Sequence, residues 1–182
     1  MFFQNEDTIT AIASGLSNSG ISVIRISGSD AIAAADKIFH TKSGSSLMNA
    51  DTHTVHYGMI MDEEEFVDEV LLLVLRAPRT YTREDVIEID CHGGALVTQR
   101  VLETILKQGV RLAEPGEFTK RAFLNGRIDL SQAEGVMDLI DASNRLAMKH
   151  SAGQVRGSLK DKITGLRNTI LDDVAFIEAA LD

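Results

Sequence analysis

The sequence contains one cysteine, Cys91, two prolines and no tryptophan. A single cysteine cannot close an internal disulfide, which excludes a secreted disulfide scaffold and fits a reducing cytosol. The longest apolar run, residues 70–75, is far shorter than the roughly 20 residues a helix needs to cross a bilayer. The opening residues, Met1-Phe2-Phe3-Gln4-Asn5-Glu6-Asp7, lack both the basic and the apolar parts of a secretory signal, so a cytoplasmic chain without a membrane segment is expected. Neither a G-x-x-x-x-G-K-[ST] loop nor a G-x-G-x-x-G following a strand is present, and this chain by itself is not expected to hydrolyse a nucleoside triphosphate. His53 and His56 lie three residues apart, a spacing that sends strand side chains to opposite faces and argues against a zinc pair. No metal site and no catalytic residue is expected.

What is present is a chain of 182 residues, 44% apolar and 25% charged, long enough to bury a core without staples. Its net charge of −9 arises entirely in the first half, where residues 1–90 hold 6 basic and 15 acidic side chains; residues 91–182 hold 12 of each. Such a chain is a poor nonspecific binder of nucleic acid, so any contact with RNA has to be local. One local candidate is the stripe Arg145, Lys149, Arg156, Lys160 and Arg167, spaced 4, 7, 4 and 7 residues apart on one helical face.

Residues 8–13 and 21–27 read as strands separated by the turn formers of residues 14–20. Ser29, or Ser27 before Gly28, is placed to cap a helix reaching Phe39, with Ile32, Ala35 and Phe39 on one face. Strands near 52–61 and 67–76 flank Asp62-Glu63-Glu64-Glu65, which reads as a solvated hairpin turn. A further strand, residues 85–91, puts Glu88 and Asp90 on one face by its period of two. Arg25 sits among Val23, Ile24 and Ile26, where an unpaired guanidinium is costly, so it requires Glu88, Asp90 or a ligand carboxylate as partner. At Cys91-His92-Gly93-Gly94 a strand gives way to a helix, a place that favours an anion. The thiol is expected to be a buried structural group, and the diglycine to permit close backbone approach.

An amphipathic helix then covers residues 96–106, followed by a short strand at 110–113 and a short helix at 117–124. Residues 1–125 therefore read as a domain of helices packed on a mixed sheet, and residues 126–182 as helices, an α+β chain overall. In the tail, Ser131 is placed to cap one helix, and Asp141 or Ser143 a second running toward Asp182. Val155, Leu159, Ile163, Leu166, Ile170, Val174, Ile177 and Leu181 form one nearly straight apolar stripe on it. If continuous from Ser143, that helix would run about 60 Å; Gly153, Gly157 and Gly165 weaken it, with a break expected near residue 153. The stripe reaches the last residues uncapped, from which a truncated chain or a helix covered by a partner is expected.

Several ordered segments are recognisable together: Asp7-Thr8-Ile9; Ile24-Arg25-Ile26-Ser27-Gly28; Glu84-Asp85-Val86-Ile87-Glu88 with His92-Gly93-Gly94; and residues 115–130, beginning Pro115-Gly116-Glu117-Phe118 and continuing through Phe123-Leu124-Asn125-Gly126-Arg127. With Gln132-Ala133-Glu134 and Asp138-Leu139-Ile140-Asp141-Ala142, they resemble the tRNA-modification GTPase family called MnmE or TrmE over essentially the whole chain. The resemblance implies a folate-binding domain similar to aminomethyltransferase domains, then the first helices of a helical domain. It also implies a homodimer formed through the N-terminal domain, and a GTPase domain, with its GTP, magnesium and potassium, lying beyond Asp182. Members of the family act with a flavin-dependent partner protein to install a carboxymethylaminomethyl-type group on C5 of the wobble uridine of tRNA. The one-carbon donor is a tetrahydrofolate, as the 5-formyl or 5,10-methylene derivative. By the same resemblance the folate-contacting residues map to Arg25, Glu88 and Arg127. The residue types agree, since a carboxylate accepts the adjacent N–H groups of a pterin and guanidinium groups suit a glutamate tail. A dimerising scaffold with a vestigial pocket, in which Arg25 and Glu88 only hold the sheet together, is the alternative.

Overall fold

The computed structural model describes residues 7–15, 19–42 and 44–181, with side chains as far as Ala180. Of the expected turn formers, Leu16, Ser17 and Asn18 lie outside this set, as does the side chain of Leu181, the last member of the apolar stripe. The chain divides into two units, Met1–Arg127 and Ile128–Asp182.

In the first unit, seven strands form one mixed sheet in the order β3-β4-β5-β6-β2-β1-β7. They are β1 (Ile9–Ile12), β2 (Ile21–Ser27), β3 (Phe39–His40), β4 (Thr54–Asp62), β5 (Glu65–Leu75), β6 (Val86–His92) and β7 (Arg111–Leu112). Every pairing is antiparallel except β1 with β7. Alternation along the strands sends Ile24, Ile26, Leu72, Val74, Ile87 and Ile89 to one face, where all are fully buried. Two helices cover that face: α1 (Ala31–Ile38) brings Ile32, Ala35 and Ile38, and α2 (Ala95–Leu106) brings Val101 and Ile105. Each fully buried aliphatic side chain contributes roughly 1.5–3 kcal/mol toward offsetting chain entropy.

The local devices differ from those the sequence suggested. Asp30 precedes α1 without a side-chain cap, and its backbone N–H donates to Thr8 Oγ1 at 3.0 Å. Ser27 is not a cap because its hydroxyl is held by Thr82 and Glu84. Phe39 is the C-cap of α1, its N–H donating to Ala35 O, and it also opens β3, opposite Ile60. The acidic turn is only partly solvated. Asp62 is buried and accepts from Lys107 Nζ at 2.6 Å and Arg100 Nη2 at 2.8 Å, and the same Arg100 group reaches Glu65 at 2.7 Å. The Lys107 hydrogen bond holds the Asp62 carboxyl below its ordinary range. The diglycine does serve close approach: Gly93 and the Ser19-Gly20 backbone exchange two hydrogen bonds of 3.3 Å, and a β-carbon on Gly93 would collide with the Ser19 carbonyl.

A third helix of this unit, α3 (Glu117–Leu124), follows β7. The helical unit holds α4 (Leu130–Ile140), α5 (Arg145–Val155) and α6 (Ser158–Leu181). The cap of α4 is Asp129, in a reciprocal box with Gln132; Ser131 instead donates to the Asp129 carboxylate at 2.7 Å. Asn144, not Asp141 or Ser143, caps α5 by accepting from Ala147 N. The expected single long helix is two, parted at Arg156 and Gly157, where Gly157 takes φ +86°. Close packing of α4 on α5 depends on Gly135, whose added β-carbon would stand 2.8 Å from Gln154 Cβ.

Candidate functional site

On the face of the sheet opposite α1 and α2, Arg25 and Glu88 are direct cross-strand neighbours in the β2–β6 register. Both Arg25 contacts go to one oxygen, Nε to Glu88 Oε1 at 2.8 Å and Nη2 to Oε1 at 2.6 Å. Among the described residues Glu88 Oε2 accepts no hydrogen bond, so a paired carboxylate still has acceptor capacity. The two side chains are 27% and 22% exposed, which makes the pair reachable from solvent. Of the two strand carboxylates the sequence allowed as partner of Arg25, Glu88 takes the role. Asp90 shares the face but makes no ion pair among the described residues, and burial followed by the nearby Glu88 charge pushes its carboxyl up.

Two aromatic rings border Arg25. Its guanidinium carbon lies 5.7 Å from the Tyr81 ring centre and 5.6 Å from that of Phe118. Arg127, just past α3, puts its guanidinium carbon 4.8 Å from the same Tyr81 ring. Arg25, Glu88 and Arg127 are thus brought together, with Tyr81 as the link. The Tyr81 hydroxyl meets Thr119 Oγ1 at 2.9 Å. The loop carrying Tyr81 is tied to α3 by Asn125 Nδ2 donating to Thr82 O at 2.6 Å and Arg83 Nη1 donating to Asn125 O at 3.0 Å. Sequence reasoning missed Tyr81, Phe118 and Thr119, because nothing in the periodicity of a loop says which strand its ring will meet.

A second ionic cluster gathers around Arg121. Arg121, 1% exposed, meets Asp7 Oδ1 at 2.7 Å, Glu117 Oε1 at 3.2 Å and Glu84 Oε2 at 3.3 Å. Arg111 joins it through Glu117 and Asp7, both at 2.6 Å. The Arg111 hydrogen bond is the main reason that the Glu117 carboxyl is lowered to about 2.

The remaining candidates resolve simply. His53 and His56 each bond a threonine, Thr52 and Thr54, and not one another. Cys91 is buried against the Ser22 carbonyl, and burial pushes its thiol up, away from the reactive thiolate. At the strand end, the anion is the protein's own: Asp68 accepts from the His92 backbone N–H at 2.8 Å and lies 2.7 Å from His92 Nδ1. The basic stripe of the helical unit divides. Arg145, Lys149 and Arg156 line one groove with Met148, Ala152 and Gly153. Lys160 acts on Asp129, and Arg167 lies further along α6.

Residues 8–127 match the family model described as GTP-binding protein TrmE N-terminus, and residues 130–182 match the MnmE helical domain. The chain belongs to this MnmE/TrmE family. Its relatives include proteins named tRNA modification GTPase MnmE from Lachnoclostridium phytofermentans, 63% identical over 177 residues, and from Carboxydothermus hydrogenoformans, 51% identical over 179. The relative of that name from Bacillus subtilis is 51% identical over 178 residues. Each alignment takes in 97% of this chain and 39% of the relative, so the chain spans well under half the length of these family members. The mixed sheet with packed helices, followed by long helices, is consistent with these two family segments. Among the described residues no helix is long and apolar enough to cross a membrane.

Proposed function

We propose that the sheet unit binds a tetrahydrofolate and pairs with a second copy of itself, as the N-terminal part of a cytoplasmic tRNA modification GTPase. The convergence of Arg25, Glu88 and Arg127 around Tyr81 on the solvent-facing side of the sheet carries this reading. The residues fit the group: Glu88 keeps an acceptor oxygen for pterin N–H groups, and the Arg25 and Arg127 guanidinium groups beside Tyr81 suit the carboxylates of a glutamate tail. When bound as its 5-formyl or 5,10-methylene derivative, the folate supplies a one-carbon unit. The chain's own residues orient it and neutralise its tail. In the larger protein this chemistry would serve, with a flavin-dependent partner, the carboxymethylaminomethyl-type modification of the wobble uridine. Arg145, Lys149 and Arg156, none of them ion-paired among the described residues, are the groups proposed to meet tRNA phosphates, with Lys160 and Arg167 extending the contact along the next helix.

Calorimetric titration of the 182-residue chain with 5-formyltetrahydrofolate tests the folate reading. Micromolar binding by the wild type, lost in both Glu88→Ala and Arg127→Ala, is expected. A wild-type chain that binds no folate would leave the second reading, a dimerising scaffold. That reading is favoured by the apolar side chains exposed around the same face: Ile21, Val55, Tyr57 and Leu71.

A further inference from the structure

Tyr81 has the strongest unassigned role in the molecule. Two guanidinium groups, 5.7 and 4.8 Å from its centre, converge on one ring. Glu88 bonds Arg25, but no carboxylate bonds Arg127 among the described residues. Like charges gathered in this way repel unless the negative face of a ring or an anion offsets them. The ring is also held in place. Its hydroxyl is bonded to Thr119, Thr80 Oγ1 donates to Glu84 O at 2.7 Å, and Asn125 and Arg83 tie the same loop to α3. Glu88, through Arg25, is the carboxylate bonded to this pair of cations, and Asp90, on the same strand face, makes no ion pair among the described residues.

We infer that Tyr81 is the positioning residue of this site, its ring holding Arg25 and Arg127 as one clamp for a single carboxylate of an organic anion. This rests on the folate reading for the identity of the natural ligand, but the clamp is testable without it. A ring face attracts a cation where an aliphatic side chain of similar volume only fills space, so the decisive variant is Tyr81→Leu, with Tyr81→Met in its place if leucine prevents folding.

Three probes are titrated into the full chain: 5-formyltetrahydrofolate, 4-aminobenzoyl-glutamate as the tail alone, and 6-methyltetrahydropterin, which has no tail. Tyr81→Leu weakens the two carboxylate-bearing probes about tenfold, corresponding to two cation–π contacts, and leaves the tail-less pterin within about twofold. Tyr81→Phe, which keeps the ring face, restores binding to within about threefold of wild type. In an Arg127→Met background Tyr81→Leu costs less than it does in the wild type, because part of the ring's effect runs through that arginine and the rest through Arg25. Equal folate binding by wild type and Tyr81→Leu would overturn the clamp while leaving the folate reading intact. Equal loss of the tail-less pterin, or failure of phenylalanine to restore binding, would also overturn it. Tyr81-dependent binding of the tail without binding of folate would sustain the clamp and end the folate reading. A wild type that binds none of the three probes would end both.

Discussion

Arg121 and Arg25 both meet carboxylates inside the sheet unit, yet one cluster has more bonded carboxylates than cations and the other fewer. Around Arg121 and Arg111, three carboxylates face two cations, and Arg121 is 1% exposed. Around Arg25 and Arg127 there is one bonded carboxylate, two rings, and side chains about a quarter exposed at the central pair. The carboxylate-rich cluster ties the segment before β1, the loop before β6, β7 and α3 together around Arg121, whose Nε is buried without a partner among the described residues. In the folate reading proposed above, that difference in bonded carboxylates distinguishes a structural group from a binding group of the same residue type.

The largest test of that contrast is Arg121→Met. Removing this buried member of the ionic cluster leaves Glu84 without its cation and Glu117 with Arg111 alone, and the expected cost is about 3–5 kcal/mol in chemical denaturation. A loss comparable to that of an exposed ion pair would show that the cluster does not hold the fold.

Acid should act next. Glu117 is lowered from an ordinary 4.5 to about 2, so its contribution is fully present above about pH 4.5 and disappears as the pH falls toward 2. The loss over that window is on the order of 3 kcal/mol. In Glu117→Gln the stability curve should be flatter across the same range; an unchanged curve would mean that other carboxylates dominate the acid transition.

Arg25→Met should cost no more than about 1 kcal/mol of stability, since its partner is partly solvated, while abolishing folate binding. A destabilisation as large as that of Arg121→Met would erase the distinction between the two clusters. The smallest effect belongs to the helical unit. Replacing Arg145, Lys149 and Arg156 with Ser should leave the melting temperature unchanged and lower the salt slope of tRNA binding by about one for each phosphate that is no longer neutralised. An unchanged slope would remove the groove from the RNA interface.

Strand alternation, the acidic hairpin and the α2 amphipathic pattern were legible because side-chain period follows directly from backbone geometry. Helix starts were less so. Asp129 and Asn144 each stand near other capping residues, and which side chain turns back onto a free N–H is decided by how the preceding chain enters the helix. Three glycines could have broken the last helix, and the one that did, Gly157, is the one that adopts a positive φ. The acidic turn looked solvated because sequence spacing does not show that Lys107 and Arg100 of the α2 region return to it.

By itself the sequence determined the α+β order of elements, the shared face of Glu88 and Asp90, the family, and the need of Arg25 for an anion. Those follow from local period, residue chemistry and long ordered matches. Only the tertiary structure decided that Glu88 is that anion, that Asp90 makes no ion pair among the described residues, and that Tyr81 joins Arg25 to Arg127. Residues separated by dozens of positions meet there because strand register and a pinned loop bring them within a few ångströms, and neither is written in the local pattern of the chain.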